Sequence, residues 1–182
     1  MKTVDEIINN ILDVETGKFT NDPHDSGGKT KWGWTEKSLH SAGWFGDVED
    51  LTREEAFYLY YKVFVVGTGY AELLRINEKV AAELVDTAVN MGPATASKFL
   101  QVSLNAMNDG GGLYPDIAED GVVGRGTCKA LDLYLKYRGA EGETVLLRAL
   151  NCLQGARYLE LSRNRPKDER FVYGWISKRV II

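Results

Sequence analysis

The chain has 182 residues, 44% of them hydrophobic and 26% charged, which fits one folded domain or one domain with a closely packed extension. Its net charge of -4 argues against nucleic acid as a partner. No apolar run approaches the roughly 18 residues of a membrane span, so stable membrane insertion is not expected. In chain order, the first predicted element is a helix over 3–14. Val4, Ile7, Ile8, Ile11 and Leu12 recur at helical spacing, and Thr3 with Glu6 forms a capping box. That helix delivers Glu15 at or just past its last turn. There the negative end of the helix dipole favours a protonated carboxyl. Gly17 is expected to end the helix.

Residues 18–34 read as loop and one short β-hairpin. Its arms are Phe19-Thr20 and Lys29 to Trp34, and its turn runs from Asn21 to Gly28. Thr35 caps a short helix that ends by Ala42. A second capping box, Thr52 to Glu55, opens a helix to about Val65 with an aromatic stripe of Phe57, Tyr58, Tyr60, Tyr61 and Phe64. Asn77 caps a strong helix through Met91. Gly92-Pro93 then stops one helix and starts the next, which runs to about Met107. Loop follows to Gly126, with helices over about 127–137, 143–162 and 166–179. The fold class is mainly α, with a small β-hairpin near the N-terminus.

The chemistry is concentrated between Glu15 and Thr35. Hydrolysing a glycosidic bond needs an acid for the leaving oxygen, and usually a second carboxylate as base or nucleophile. Glu15 suits the first task. Asp22 and Asp25, across a short loop, are rivals for the second, and Thr30 is suited to positioning a water. The same residues also read as an ordinary polar turn after a helix, since Asp, Pro and Gly are turn formers. Asp22, His24 and Asp25 would suit a divalent ion. However, His40 is the only other histidine and neither cysteine is near, so no metal and no cofactor is expected. Gly121 to Thr127 lacks the Gly-Lys-Ser/Thr ending of a phosphate loop, and no serine sits in a nucleophile-elbow context.

Cys128 and Cys152 lie far apart and read as free buried thiols of a protein made in a reducing cytosol. Asp5, Glu6, Asn9 and Asn10 interrupt any signal-peptide core at the N-terminus, so action outside the membrane requires another component for release. Between Arg157 and Arg179 the chain is locally basic. This reads first as a solvated face, and otherwise as a surface for an anionic envelope polymer.

The run Asn21-Asp22-Pro23-His24-Asp25-Ser26-Gly27-Gly28-Lys29-Thr30-Lys31-Trp32-Gly33-Trp34-Thr35 resembles the signature of glycoside hydrolase family 108, the phage and bacterial N-acetylmuramidases. In that family a Glu-Gly-Gly-aromatic segment precedes it. Here Glu15-Thr16-Gly17-Lys18-Phe19 carries one glycine where the family has two. The second half resembles the peptidoglycan-binding region that accompanies this family. The matching residues are Val85 to Gly92, Leu100-Gln101, Asp120 to Thr127 with Arg125 in place of Pro, and Phe171, Gly174, Trp175 and Arg179.

The resemblance implies a lysozyme-like helical fold with a catalytic region over 1–92 and a peptidoglycan-binding region over 93–182, packed as one unit. It implies Glu15 as general acid in cleaving the β-1,4 bond between N-acetylmuramic acid and N-acetylglucosamine. By analogy with related phage lysozymes, which use an ordered Glu, Asp and Thr across a similar hairpin, Asp25 and Thr30 are the assisting residues and Asp22 the rival. Tyr60 and Asn90 are the expected sugar contacts. The implied setting is a monomeric phage endolysin, made in the host cytoplasm and passed by a holin or a secretion partner to the wall in the periplasm. A lytic transglycosylase on the same fold, or a non-catalytic wall-binding module, would be the alternatives.

Overall fold

A computed structural model describes residues 2–21 and 28–180. Local sequence signals decide most of its helix starts. In α1 (Val4–Glu15) the Thr3 hydroxyl accepts from the Glu6 amide and the Glu6 carboxylate accepts from the Thr3 amide, which closes the expected capping box. Val4, Ile7, Ile8, Ile11 and Leu12 all face inward, with Ile8 and Leu12 fully buried. Each such side chain contributes roughly 2 kcal/mol through burial. The helix runs to Glu15, one residue past the expected Val14. Thr16 takes the left-handed C-cap at φ 55°, and Gly17 follows at φ 64°.

The chain then forms three short antiparallel strands in the order β1 (Thr20–Asn21), β2 (Lys29–Lys31) and β3 (Trp34–Thr35). The sequence reading had one hairpin, with Lys29 to Trp34 as a single arm. In the structure that arm folds back on itself at Trp32 (φ 54°) and Gly33 (φ 76°), pairing Lys31 with Trp34. Two successive positive φ angles are what a tight two-residue hairpin turn needs. The register sets Thr20 opposite Thr30 and Thr30 opposite Thr35, so three threonines cross the sheet in a row. Thr35 then caps α2 (Glu36–Ser41). A 3-10 turn over Val48–Asp50 leads to α3 (Arg53–Tyr61), which packs on α1 and runs on into a π-helical turn over Lys62–Val66.

These elements make up one compact unit, Met1–Gly67; Thr68–Ile182 form a second. The second unit is helical: α4 (Tyr70–Ile76), α5 (Glu78–Met91), α6 (Pro93–Ala106), α7 (Arg125–Asn164) and, after a 3-10 turn at Pro166–Asp168, α8 (Glu169–Arg179). The sequence reading did not assign α4. It is a short helix entered at Gly69 without a side-chain cap, and it is held by Tyr70, whose buried hydroxyl donates to the Pro93 carbonyl at 3.1 Å. The two helices expected over 127–137 and 143–162 are both present within α7, separated by a kink at Gly139, whose φ of 61° and ψ of -152° are non-helical. α5 packs against α4, α6 and α7, and α8 against α7.

Amides on α6 hold the long segment between α6 and α7. Gln101 donates to Asp120 Oδ1 (2.8 Å) and to the Val122 carbonyl (3.0 Å), and accepts from the Gly121 amide (2.8 Å). Asn105 exchanges two hydrogen bonds with Ile117. The two backbone and side-chain bonds to the Asp120 carboxylate, led by the Val122 amide, hold its pKa below the usual carboxylate range. Several cations of the basic tail are paired: Arg157 with Glu160, Arg165 with Asp168, and Arg179 with Asp86. Of the two cysteines, both free, Cys128 is half-buried and Cys152 is exposed on α7, so the expectation of two buried thiols holds for neither in full. Among the described residues, no helix is long and apolar enough to cross a membrane.

Glu83, on α5, is buried, and its pKa is pushed up to about 7, chiefly by burial and then by the Asp86 carboxylate; a hydrogen bond from Asn151 acts the other way. The unfolded chain releases this proton at an ordinary carboxylate pH, so between that pH and about 7 the folded state binds more protons. Stability therefore falls as pH rises through this window, by up to about 3 kcal/mol. Urea unfolding between pH 5 and 8 should show this decline, and Glu83→Gln should flatten it. Equal slopes in both proteins would assign the pH dependence elsewhere.

Candidate active site

Glu15 is exposed at the last turn of α1, and the β2–β3 turn is folded against it. A Cβ placed on Gly33 would fall 3.2 Å from Glu15 Cδ, 3.3 Å from Glu15 Cγ and 2.6 Å from Tyr60 Oη. Backbone, carboxyl stem and phenol therefore meet at a point where only glycine fits. Tyr60, on α3, is 6% exposed and donates its hydroxyl to the Trp32 carbonyl at 3.2 Å. Burial, and then the negative charge of Glu15, raise the Tyr60 pKa, so the phenol keeps its proton for that bond.

The Trp32 ring lies against Gly17, where a Cβ would fall 2.3 Å from Trp32 Cζ2. Its indole N–H donates to the Leu51 carbonyl at 3.1 Å. Trp34 packs tilted on Tyr60 with ring centroids 5.0 Å apart, and Tyr60 stacks on Phe64 at 5.8 Å. The turn is thus clamped from both sides: by Gly17 and Leu51 through Trp32, and by α3 through Tyr60.

Of the expected site residues, Glu15 and Tyr60 are brought together. Thr30 sits mid-strand in β2, half-buried, with its hydroxyl donating to the Gly28 carbonyl at 3.2 Å. Asp22 and Asp25, with His24, lie outside the described residues. Asn90 is exposed near the end of α5 in the second unit, and its amide donates to the Asp86 carbonyl at 2.6 Å. Among the described residues, no group of three or more His, Cys, Asp or Glu side chains is arranged to hold a metal ion. The sequence reading gave Trp32 and Gly33 no role. The signal it passed over was a Trp-Gly pair inside a strand-like run, which is a hairpin turn when both residues take positive φ.

A helix-end carboxylate folded against a small antiparallel sheet, in a mainly helical chain, is the layout of a lysozyme-like fold. Residues 8–92 match the family described as Glycosyl hydrolase 108, and residues 95–180 match the one described as Predicted Peptidoglycan domain. The first half of the chain thus carries a glycosyl hydrolase 108 region and the second half that peptidoglycan domain, which supports a glycoside hydrolase acting on peptidoglycan. Among solved structures it is similar to that of Brucella abortus SagA, with a TM-score of 0.65 and 22% identity over 96% of this chain and 88% of the other, a likeness of fold. None of the curated proteins compared matches the chain. The two family regions meet at Gly92-Pro93, whereas the compact units divide at Gly67. Helices α4 and α5 thus lie within the hydrolase region in sequence yet pack with the helices of the second unit.

Thr16 stands in a left-handed conformation, where a residue with a β-branched side chain is strained by roughly 1–2 kcal/mol. Thr16→Gly is expected to stabilise the first unit by about 1 kcal/mol. Gly33→Ala is expected to destabilise it by about 2–4 kcal/mol, because the new methyl group displaces Tyr60 or Glu15. Urea unfolding followed by tryptophan fluorescence checks both; a neutral Gly33→Ala would contradict the close approach described.

Proposed function

We propose that the chain is an N-acetylmuramidase that cleaves the β-1,4 bond between N-acetylmuramic acid and N-acetylglucosamine, with Glu15 as general acid. The observation that carries this reading is the seating of Glu15. Its carboxyl stem rests on Gly33 while the side chain stays open to solvent at the end of α1. A group held in this way can meet a glycosidic oxygen without first being ordered, which is what positioned acid catalysis requires. Glu15 protonates the leaving oxygen, and a carboxylate-assisted water attacks the anomeric carbon. The family signature supports Asp25 for that second carboxylate, with Asp22 as the rival, and Thr30 for holding the water. Tyr60 acts through Glu15 and the turn as a positioning residue, because its hydroxyl is already given to Trp32. Asn90, exposed in the second unit, is the candidate sugar contact.

Glu15→Gln keeps the shape and removes the proton. It should lower the lysis of purified cell walls by about 10²–10⁴-fold. Near-normal lysis would remove Glu15 from the mechanism. Mass spectrometry of the released fragments should find reducing N-acetylmuramic acid ends; 1,6-anhydro ends would make the enzyme a transglycosylase instead, and pelleting with walls without any release would make it a binding module.

The resemblance to phage muramidases extends the proposal to a monomeric endolysin that reaches the periplasmic wall through a holin or a secretion partner. Expressed alone in a Gram-negative cytoplasm it should leave cells intact, and co-expression with a holin should lyse them; lysis without a holin would argue against that route.

A further inference from the structure

Within the second unit, α7 breaks at Gly139, whose φ of 61° and ψ of -152° fall where glycine alone sits readily. At the break lies a cavity of about 480 Å³. Met107, Tyr134 and Val145 line it with three charged residues, Asp109, Arg138 and Glu141. Its walls are held in place. Tyr134 is buried, and its hydroxyl spans the break by donating to the Gly142 carbonyl at 2.9 Å. Arg138 is exposed yet braced. Its stem lies on Gly142, where a Cβ would fall 2.1 Å from Arg138 Cβ, and its guanidinium donates to the Met107 carbonyl at 3.4 Å. A guanidinium has five N–H donors, so most remain for a ligand. Asp109 and Glu141 are exposed, and neither forms an ion pair among the described residues. The three charges line one cavity without pairing with each other, so each is left for an outside partner.

The catalytic reading uses none of these groups. Two carboxylates and one guanidinium around an apolar lining suit a ligand that carries both signs of charge on a short aliphatic arm. We propose that this cavity binds the zwitterionic end of an amino-acid side chain, a carbon bearing both an ammonium and a carboxylate, in the peptide stems of the wall polymer. The carboxylate takes the free N–H groups of Arg138 in charge-assisted hydrogen bonds. The ammonium meets the carboxylates of Asp109 and Glu141, and the methylenes of the arm pack on Met107 and Val145. An uncharged N-acetyl sugar offers no counter-charge to any of the three, which favours the peptide over the glycan as occupant. The inference rests on the reading of peptidoglycan as the substrate and deepens it: the second unit reads the peptide, and the first cuts the glycan.

The test uses the full chain carrying Glu15→Gln, so that a glycan control is not consumed. The probe is N-acetylated alanyl-γ-glutamyl-diaminopimelate, whose last side chain ends in ammonium and carboxylate together. The controls are the same tripeptide with lysine last, which keeps the ammonium and lacks that carboxylate, and the tetramer of N-acetylglucosamine. By calorimetry the diaminopimelate peptide should bind about tenfold more tightly than the lysine peptide, the worth of one charge-assisted hydrogen bond, and adding Arg138→Gln should erase the difference. Asp109→Asn removes a charge while keeping a residue that tolerates the left-handed backbone at φ 59°. It should weaken both peptides about two- to fivefold, the worth of an exposed ion pair. The chain has three methionines, and the methyl NMR signal lost in Met107→Leu identifies Met107. The diaminopimelate peptide should shift that signal, and the tetramer should not. Equal affinities for the two peptides, no binding of the diaminopimelate peptide, unchanged binding in Asp109→Asn, or a Met107 shift caused by the tetramer would each overturn the peptide site. If Arg138→Gln fails to fold, the discrimination between the two peptides and the Asp109→Asn result decide. Failure of the catalytic reading shows in wall lysis by Glu15→Gln. Failure of the peptide site shows in binding, so the two remain distinguishable.

Discussion

The structure around the catalytic candidate depends on one close approach: the backbone at Gly33 pressed against the Glu15 side chain and the Tyr60 hydroxyl. Each of the three comes from a different element. α1 brings the carboxylate, the β2–β3 turn brings the bare backbone, and α3 brings the phenol. The Tyr60–Trp32 hydrogen bond locks the turn, and the indole of Trp32 packs against Gly17, which directly follows the helix C-cap. A carboxylate at a fraying helix end would ordinarily sample many rotamers. Here its stem has a floor at Gly33, and the Tyr60–Trp32 hydrogen bond holds that floor in place. Thr16 and Gly17 show the strain this arrangement tolerates, since two consecutive left-handed residues are needed to turn the chain away from Glu15.

In the second unit, the residues that carry the family pattern act largely on one another. Asp86, on α5, meets Arg179, on α8, at 2.6 Å across 93 positions of sequence. Gln154, on α7, donates to Asp86 and to Thr87. Trp175 stacks on Tyr158, and Phe171 on Trp175. Gln101 organises the Asp120–Thr127 segment. The polar groups among them are buried or half-buried and find partners in other motif residues or in Gln154 of α7, while the ring of Trp175 rests on Tyr158 of the same helix. The pattern therefore specifies how the unit closes.

Most helix starts were legible because their causes are local. Thr3, Thr35, Thr52 and Asn77 each cap within three residues of themselves, as expected. The helix stop was less so. Gly17 was the natural candidate; it directly follows the Thr16 cap, is also left-handed, and has packed against it an indole that comes from 15 residues further on. The second hairpin was hidden in a strand-like run, and α4 in a stretch without strong periodicity. Its reason to exist is Tyr70 reaching Pro93 and Ser97. Tyr60 was expected as a sugar contact. Its ring is instead buried at the centre of the first unit's aromatic contacts, where Trp34 and Phe64 flank it.

By itself the sequence determined the mainly α class, the helix starts, the presence of a small antiparallel sheet and Glu15 at a helix end. Periodicity and capping act over a few residues and need no partner. Only the tertiary structure decided what Glu15 rests on and which aromatic side chains are buried. Those outcomes depend on close packing between elements far apart in the chain, and a spacing of residues along the backbone carries no record of which surfaces will meet.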